Sequence, residues 1–586
     1  MRYFFISLVA LVSFFQAPQA KSGEQPILSE PDETEEDSES EDFWEGIEFT
    51  ANDFTEVRKY VKMYYIDPNY NRKLCWIEAA QAVLYGIEKK RELLPENFYN
   101  SKKVSGDPEE KKLFSGKVYK LDPQDKFLIH YIQEPDKKKK QKKLSDAEIS
   151  EKKEKQRKRL EEREKAWESI EFGETEFKRI VDHLMETEKE NKNFKKSKVY
   201  IHAAQGYLSA LDPHSNIIAQ KSWDKTTQET VDSSFEGIGA ILVKDGEFIK
   251  IESPIEGQPA QKAGLKPGDI ILKVNGKNVK GFDLDKVVKR IRGEKGTPVT
   301  LTISRENEPA EFDVTIIRDR IEVKNVHAKL IKQHKDIGYV KLAGFTDVSA
   351  VEFEKACKKL AAETKEARLR GLVIDLRNNA GGLLQESIDL SDLFLDEGVI
   401  VRVKDNSNVK DEVYNAVKGS IDVPVVVITN SGSASAAEIF ASAIQENMRG
   451  LVIGERSFGK ASVQSLFTPF LRRDYYIKLT VARYYAPSGR TIQVAGVMPD
   501  IAVPPDKGKE EPAGFREEDL WHHLSKIPSN YESPNKKLVQ EVLECDKKTG
   551  IGDIVIDSDP NPDIKYDYQL LKAADYLECM IDLRSQ

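Results

Sequence analysis

The sequence predicts a multidomain α/β protein with four parts: a helical N-terminal region, a β-rich domain, a layered α/β core and a helical C-terminal extension. Three observations carry this reading. Residues 54–208 are patterned with helical period around one charge-dense insertion. Between 231 and 320, short runs such as Ala240-Ile241-Leu242-Val243 and Phe248-Ile249-Lys250-Ile251 are separated by Gly and Asp-Gly turns. From Ile337 onward, continuous apolar strands alternate with helical stretches, for example Gly371-Leu372-Val373-Ile374-Asp375-Leu376 and Val425-Val426-Val427-Ile428. That pattern belongs to a sheet covered on both faces.

The 586 residues allow several domains. A net charge of −9 gives no general case for nucleic-acid binding. At the N-terminus, Arg2 precedes an apolar run at residues 4–15, and Ala17-Pro18-Gln19-Ala20 offers small residues for cleavage. The run is short for a bilayer span. Residues 1–20 are therefore expected to be a signal peptide for export to a bacterial periplasm or beyond; a retained membrane anchor is the alternative. With no Cys in or just after the run, a lipoprotein anchor is not expected. Residues 21–46 are acidic and poor in apolar residues, as a disordered leader is.

Residues 47–230 form the helical region. It contains a charge run at 136–165, read as a solvated helix or loop laced with i,i+4 pairs. The alternative is a polyanion or membrane contact through Lys137–Lys140, Lys142 and Lys143. The β-rich domain is placed at 231–322, the α/β core at 323–505 and the extension at 506–586, with a helical pattern over 568–580. Of the four cysteines, none forms a CxxC pair, so there is no zinc or redox motif, and no cofactor is expected. Cys545 and Cys579 both lie in the extension and could bridge in an oxidising compartment; free buried thiols fit equally well.

The chemistry is best sought where Val425–Thr429 runs into Asn430-Ser431-Gly432-Ser433-Ala434-Ser435-Ala436-Ala437-Glu438. Strand, tight turn and helix present a nucleophile at a helix N-terminus, where free N–H groups favour a developing oxyanion. Taken alone, Ser433 or Ser435 reads first as a helix cap. A serine nucleophile needs a base, and none of the 8 His residues accompanies an obvious Ser/His/Asp arrangement; His214 reads as a turn residue. Lys460, in Ser457-Phe458-Gly459-Lys460-Ala461-Ser462-Val463-Gln464, is the better candidate. Burial disfavours an ammonium and makes lysine a base near neutral pH. Without context the same lysine is an ordinary exposed loop residue. In an extended segment Lys460, Ser462 and Gln464 share a face, so Gln464 could orient the amine.

The spacing of 25 residues between Ser435 and Lys460, with SGSASAAE and SFGKASVQ, resembles the carboxyl-terminal processing (tail-specific) peptidase family. The resemblance covers roughly residues 200–503. It includes Asp212-Pro213-His214-Ser215, Phe235-Glu236-Gly237-Ile238-Gly239-Ala240, Asp375-Leu376-Arg377-Asn378-Asn379-Ala380-Gly381-Gly382 and Leu479-Thr480-Val481-Ala482-Arg483-Tyr484-Tyr485-Ala486-Pro487. It implies Ser435 as nucleophile, Lys460 as general base, Gln464 as its orienter, and backbone N–H of Gly381 and Ala436 as the oxyanion hole. It also implies a crotonase-like layered core and a PDZ domain in the β-rich region. There, Gly237, Ile238, Gly239 and Ala240 would capture a substrate's C-terminal carboxylate, with Ile238, Ile241 and Leu242 lining a pocket for an apolar C-terminal side chain. Ala380 stands where the family has Pro, and Ala461 where it has Gly. The family also includes members that assemble or use lipoprotein adaptors, so an adaptor lipoprotein and a homo-oligomer are the further partners it suggests. A non-catalytic PDZ scaffold and a crotonase-like acyl-CoA enzyme are the competing functions; intact Ser435, Lys460 and Gln464 argue against the first, the export signal and PDZ region against the second.

Overall fold

The structure, a computed structural model, describes residues 43–549 and 567–585, apart from 88–90, 105–107, 133–145, 225–233, 508–513 and shorter stretches. The expected signal peptide, most of the acidic leader and Lys137–Lys143 lie outside the described residues.

The N-terminal region is held by packing of helical faces. Helices Ala51–Tyr64, Arg72–Ile87, Glu174–Thr187 and Lys196–Ser209 bury Phe54, Trp76, Ile180, Leu184 and Leu208 in one core. Thr50 and Asp53 cap the first of these helices, the Thr50 N–H donating to Asp53 Oδ2 at 2.8 Å. The described part of the charge run is a helix, Asp146–Glu168. Arg157–Glu161 and Lys158–Glu154 pair at i,i+4 on its exposed side. Lys102–Glu162 and Arg163–Glu78 tie it back to the helical core.

The β-rich domain is a sheet in the order Phe312–Ile317, Pro298–Ser304, Ile270–Val274, Phe248–Pro254, Ala240–Asp245. The helix Leu284–Ile291 contributes Val287 and Ile291 to its core. Ser234–Gly237 pairs with Asp319–Glu322 and closes the unit where the chain enters and leaves it.

The core sheet runs in the order Val326–Ile331, His334–Leu342, Gly371–Asp375, Val425–Thr429, Leu451–Gly454, Ile501–Ala502. Its first pair is antiparallel and the rest are parallel. Alternate residues separate to its two faces, as the strand period requires. Leu372, Ile374, Val425 and Val427 meet the helices Ser349–Glu363, Leu384–Asp392 and Ala436–Glu446. Val373, Val426, Ile428 and Ile453 meet Leu570, Leu571, Leu577 and Met580 of the tail helix Tyr568–Ser585. The C-terminal extension thus supplies the second cover of the sheet. A second sheet, ordered Asp411–Asn415, Val399–Asp405, Tyr475–Tyr485, Ser462–Phe467, stands beside the first. Asn216–Ala219 pairs with the start of its long strand Tyr475–Tyr485 and brings the preceding turn at 212–215 to the same place.

Cys545 and Cys579 are disulfide-bonded across 34 residues, joining helix Lys536–Thr549 to the tail helix. Closing a loop of that size in the unfolded chain corresponds to about 3–4 kcal/mol of stability. Cys545→Ser is therefore expected to lower the unfolding free energy from urea titration by that amount, whereas a midpoint insensitive to the substitution and to reductant would show that the bridge does not stabilise the fold. Cys75 and Cys357 are buried and free.

Candidate active site

The turn after Val425–Thr429 is fixed by its own small polar residues. The Ser433 hydroxyl donates to the Leu376 carbonyl at 2.8 Å and accepts the Asn430 N–H at 3.0 Å, so Ser433 is a structural residue. Ser435 follows at φ 57°, ψ −114°, immediately before helix Ala436–Glu446, and its side chain makes no cap hydrogen bond. A positive φ at a non-glycine residue is strained by about 1–3 kcal/mol and persists only where its surroundings over-determine it. Here they do. Gly381 (φ +99°) lies so close that an added Cβ would stand 2.8 Å from the Ala436 nitrogen and 2.9 Å from Ser435 Cβ, so only glycine fits.

Glu438, one turn into the helix and fully buried, holds the site together. One of its oxygens, Oε2, accepts both the Ser435 N–H at 2.8 Å and the Lys460 N–H at 2.9 Å. The other accepts the Gly459 N–H at 2.7 Å and the Ser457 hydroxyl at 2.5 Å. Burial pushes its carboxyl up to about 7, against the pull of these hydrogen bonds.

Lys460 is only 5% exposed. Burial lowers its proton affinity; the carboxylates of Glu517, Asp212 and Glu438 oppose that. A second buried lysine, Lys478, is brought down to about 7 by burial and by repulsion from Lys460, with Asp212 opposing. Gln464 donates to Ser462 Oγ at 2.9 Å and to Thr480 Oγ1 at 3.2 Å, and Thr480 in turn donates to Asp212 at 3.0 Å. The Tyr484 hydroxyl donates to the Lys460 carbonyl and also bonds the Ser435 side chain; burial raises its proton affinity far above the ordinary tyrosine value.

Of the expected oxyanion donors, Ala436 N–H opens the helix, while Gly381 N–H donates to Asn379 Oδ1 at 2.9 Å. A small cleft beside Ser435 has the apolar walls Leu384, Ile439 and Val463. In the β-rich domain Gly239 takes φ +70°, and its carbonyl accepts the Ile255 N–H at 2.9 Å. The Ile238 side chain is buried in that domain's own core. Among the described residues strand Ala240–Asp245 lies at the end of the sheet path, the position at which a peptide strand can add.

Several residues at the centre were not read from the sequence as part of it. His214 is one: its Nε2 bonds Glu517 at 3.0 and 3.1 Å. Asp212 is fully buried, accepting His214 N–H at 2.8 Å and the Ser215 hydroxyl at 2.7 Å. The signal for Glu438 was available, since it stands three residues into the helix after Ser435, where a capping acid is common. Glu517 had no local signal.

Two family models match this chain: peptidase family S41 over residues 336–503 and a PDZ domain over residues 250–305. It is 38% identical over 333 residues to the carboxy-terminal-processing protease of Bartonella bacilliformis, a match covering 56% of this chain and 75% of that one. It is 40% identical over 315 residues to the carboxy-terminal processing protease of Bacillus subtilis, covering 52% of this chain and 64% of that one. Among solved structures it is similar to a photosystem II D1 C-terminal processing protease, at 27% identity and a TM-score of 0.35, covering 55% of this chain and 86% of that one. The chain therefore belongs to the carboxy-terminal-processing proteases of peptidase family S41, serine-type peptidases, and carries a PDZ domain.

Proposed function

We propose that this protein is an exported, periplasmic endopeptidase that cuts with a Ser435–Lys460 dyad and selects substrates through their C-termini. The observation that carries the dyad is the shared Glu438 oxygen. One buried acceptor takes the backbone N–H of both residues, so nucleophile and base are referenced to the same atom. In this reading the neutral Lys460 amine takes the Ser435 proton as Oγ attacks the scissile carbonyl. The resulting ammonium then protonates the leaving amine, and a water activated by the same amine releases the acyl group. Ala436 N–H supports the oxyanion; Gly381 N–H joins it on exchanging its bond to Asn379. Gln464 acts on the amine indirectly in this reading, linked through Thr480 to Asp212, whose charge reaches Lys460. The walls Leu384, Ile439 and Val463 favour a small apolar residue before the cut bond.

In this reading Gly237, Ile238, Gly239 and Ala240, which join strand Ser234–Gly237 to strand Ala240–Asp245, capture a terminal carboxylate through their backbone as the substrate adds a strand. Export is supported by the signal-peptide pattern of residues 1–20 and by the Cys545–Cys579 bridge, which persists in oxidising compartments. Among the described residues no helix is long and apolar enough to cross a membrane. A lipoprotein adaptor and self-association remain partners to be sought by co-purification.

The selectivity is tested with one unfolded substrate carrying three tails. A chain ending in Val-Ala-Ala is expected to be cut faster than one ending in Asp-Asp or the amidated Val-Ala-Ala chain, because tethering raises the local concentration at Ser435. Equal rates for all three would show that the PDZ domain does not read C-termini. Substituting Ile238 is unsuited to this test, because its side chain is part of the domain core.

A further inference from the structure

A short segment of the C-terminal extension, residues 514–524, crosses the catalytic centre. Its start is pressed against the nucleophile turn: a Cβ on Gly514 would stand 2.3 Å from Ser431 Oγ. Phe515 packs on Phe458 with ring centroids 6.3 Å apart, and Glu518 pairs with Arg456. The Glu517 N–H donates to the Phe458 carbonyl at 3.1 Å, two residues before Lys460. At the other end His522 meets Ser209 O and Glu164 at 3.1 Å each, and Leu524 enters the core of the N-terminal helices.

Between these anchors the Glu517 side chain is fully buried. It accepts from His214 Nε2 at 3.0 Å and from Gln493 Nε2 at 2.9 Å. Gln493 closes the loop, its Oε1 accepting the Ala461 N–H, next to Lys460, at 2.8 Å. A buried carboxylate is costly unless paired or hydrogen-bonded. A neutral His214 donating its Nε2–H satisfies one of its bonds without cancelling its charge. Lys460 is a further positive group that acts on this carboxylate.

We propose that Glu517, carried in by the 514–524 segment, is a positioning residue of the active centre: its buried carboxylate supplies the counter-charge for Lys460, so that seating of this segment sets the pH at which the lysine becomes a base. The proposal rests on the Ser435–Lys460 reading. The groups facing Lys460 are Glu517 from the segment, Asp212 and His214 from the turn, Glu438 from the nucleophile helix, and Lys478 and Tyr484 from the long strand. Asp212 is shared with Lys478, and Glu438 is engaged by four donors. Glu517 exerts the largest of the opposing attractions on Lys460, and burial holds His214 towards its neutral form.

The sign follows directly. An anion beside an amine stabilises the ammonium, so removing it makes deprotonation easier. In the full-length protein, E517Q is expected to move the acidic limb of kcat/KM to lower pH by about 1 unit, while E517D stays close to wild type. The pH dependence of Ser435 labelling by a fluorophosphonate should shift in the same direction without any contribution from substrate binding. Because burial also pushes the Glu438 carboxyl up, to about 7, the difference between variants is the readout. A limb in E517Q superimposable on wild type, whatever the change in rate, overturns the proposal. If E517Q does not fold, the pair Arg456→Ala with Phe515→Ala loosens the segment and retains Glu517; the limb must then move the same way, and a fixed limb overturns the proposal equally. Lys460→Met in the same series separates the failures. If it stays active, the dyad itself is lost and this inference with it; if it is inactive beside an unmoved limb in E517Q, only the role of Glu517 is lost.

Discussion

Ser435→Ala and Lys460→Met are each expected to lower kcat/KM by about 10⁴-fold or more, and the double variant no further. Attack by Oγ and removal of its proton are one event. Without the hydroxyl the amine has nothing to deprotonate, and without the amine the hydroxyl is too weakly nucleophilic. Neither change should unfold the chain. The Ser435 side chain caps no helix, and methionine fills the buried Lys460 position with an apolar chain of similar length. Ser433→Ala is the control. It removes two structural hydrogen bonds and should cost about 1–3 kcal/mol of stability while leaving most of the rate. A Ser435→Ala variant that still cuts, or a double variant far worse than either single one, would remove the dyad.

The second large effect is expected at Glu438. Glu438→Ala leaves three backbone N–H groups and the Ser457 hydroxyl without their buried acceptor. Each unsatisfied donor costs about 1–3 kcal/mol, less whatever a penetrating water restores. We therefore expect a loss of about 3–5 kcal/mol in denaturant unfolding, together with loss of peptidase activity. Glu438→Gln tests the reasoning further. Its shape is kept, but its amide nitrogen would face donors, so it should be destabilised too. A Glu438→Gln protein with wild-type stability and rate would show that the shared oxygen does not organise the site.

Much of the protein was legible in order along the chain. The continuous apolar runs at 371–376 and 425–428 already required a sheet covered on both faces, because both sets of alternating residues are apolar. The strand, small-residue turn and helix around Ser435 were equally local. The 25-residue separation from Lys460 marked a pair only through resemblance, since a lysine's burial cannot be read from its neighbours in sequence. Ile238 shows the opposite limit. An apolar residue in a turn of this kind fits a ligand pocket or a core, and its burial in one cluster with Val287 and Ile291 placed it in the core.

By itself the sequence determined the fold class, the order of its parts and the turn that carries Ser435, because these rest on periodicity and steric preference within short windows. Only the tertiary structure decided which distant groups share the buried interior around Ser435 and Lys460. The tail helix Tyr568–Ser585 closes the sheet's second face. Asp212 and His214 arrive through a strand pairing with Tyr475–Tyr485. Glu517 comes from a segment beyond the matched peptidase region. The physical reason is that burial and charge act through space: a carboxylate 57 residues downstream of Lys460 in the chain influences it only once folding excludes the water between them.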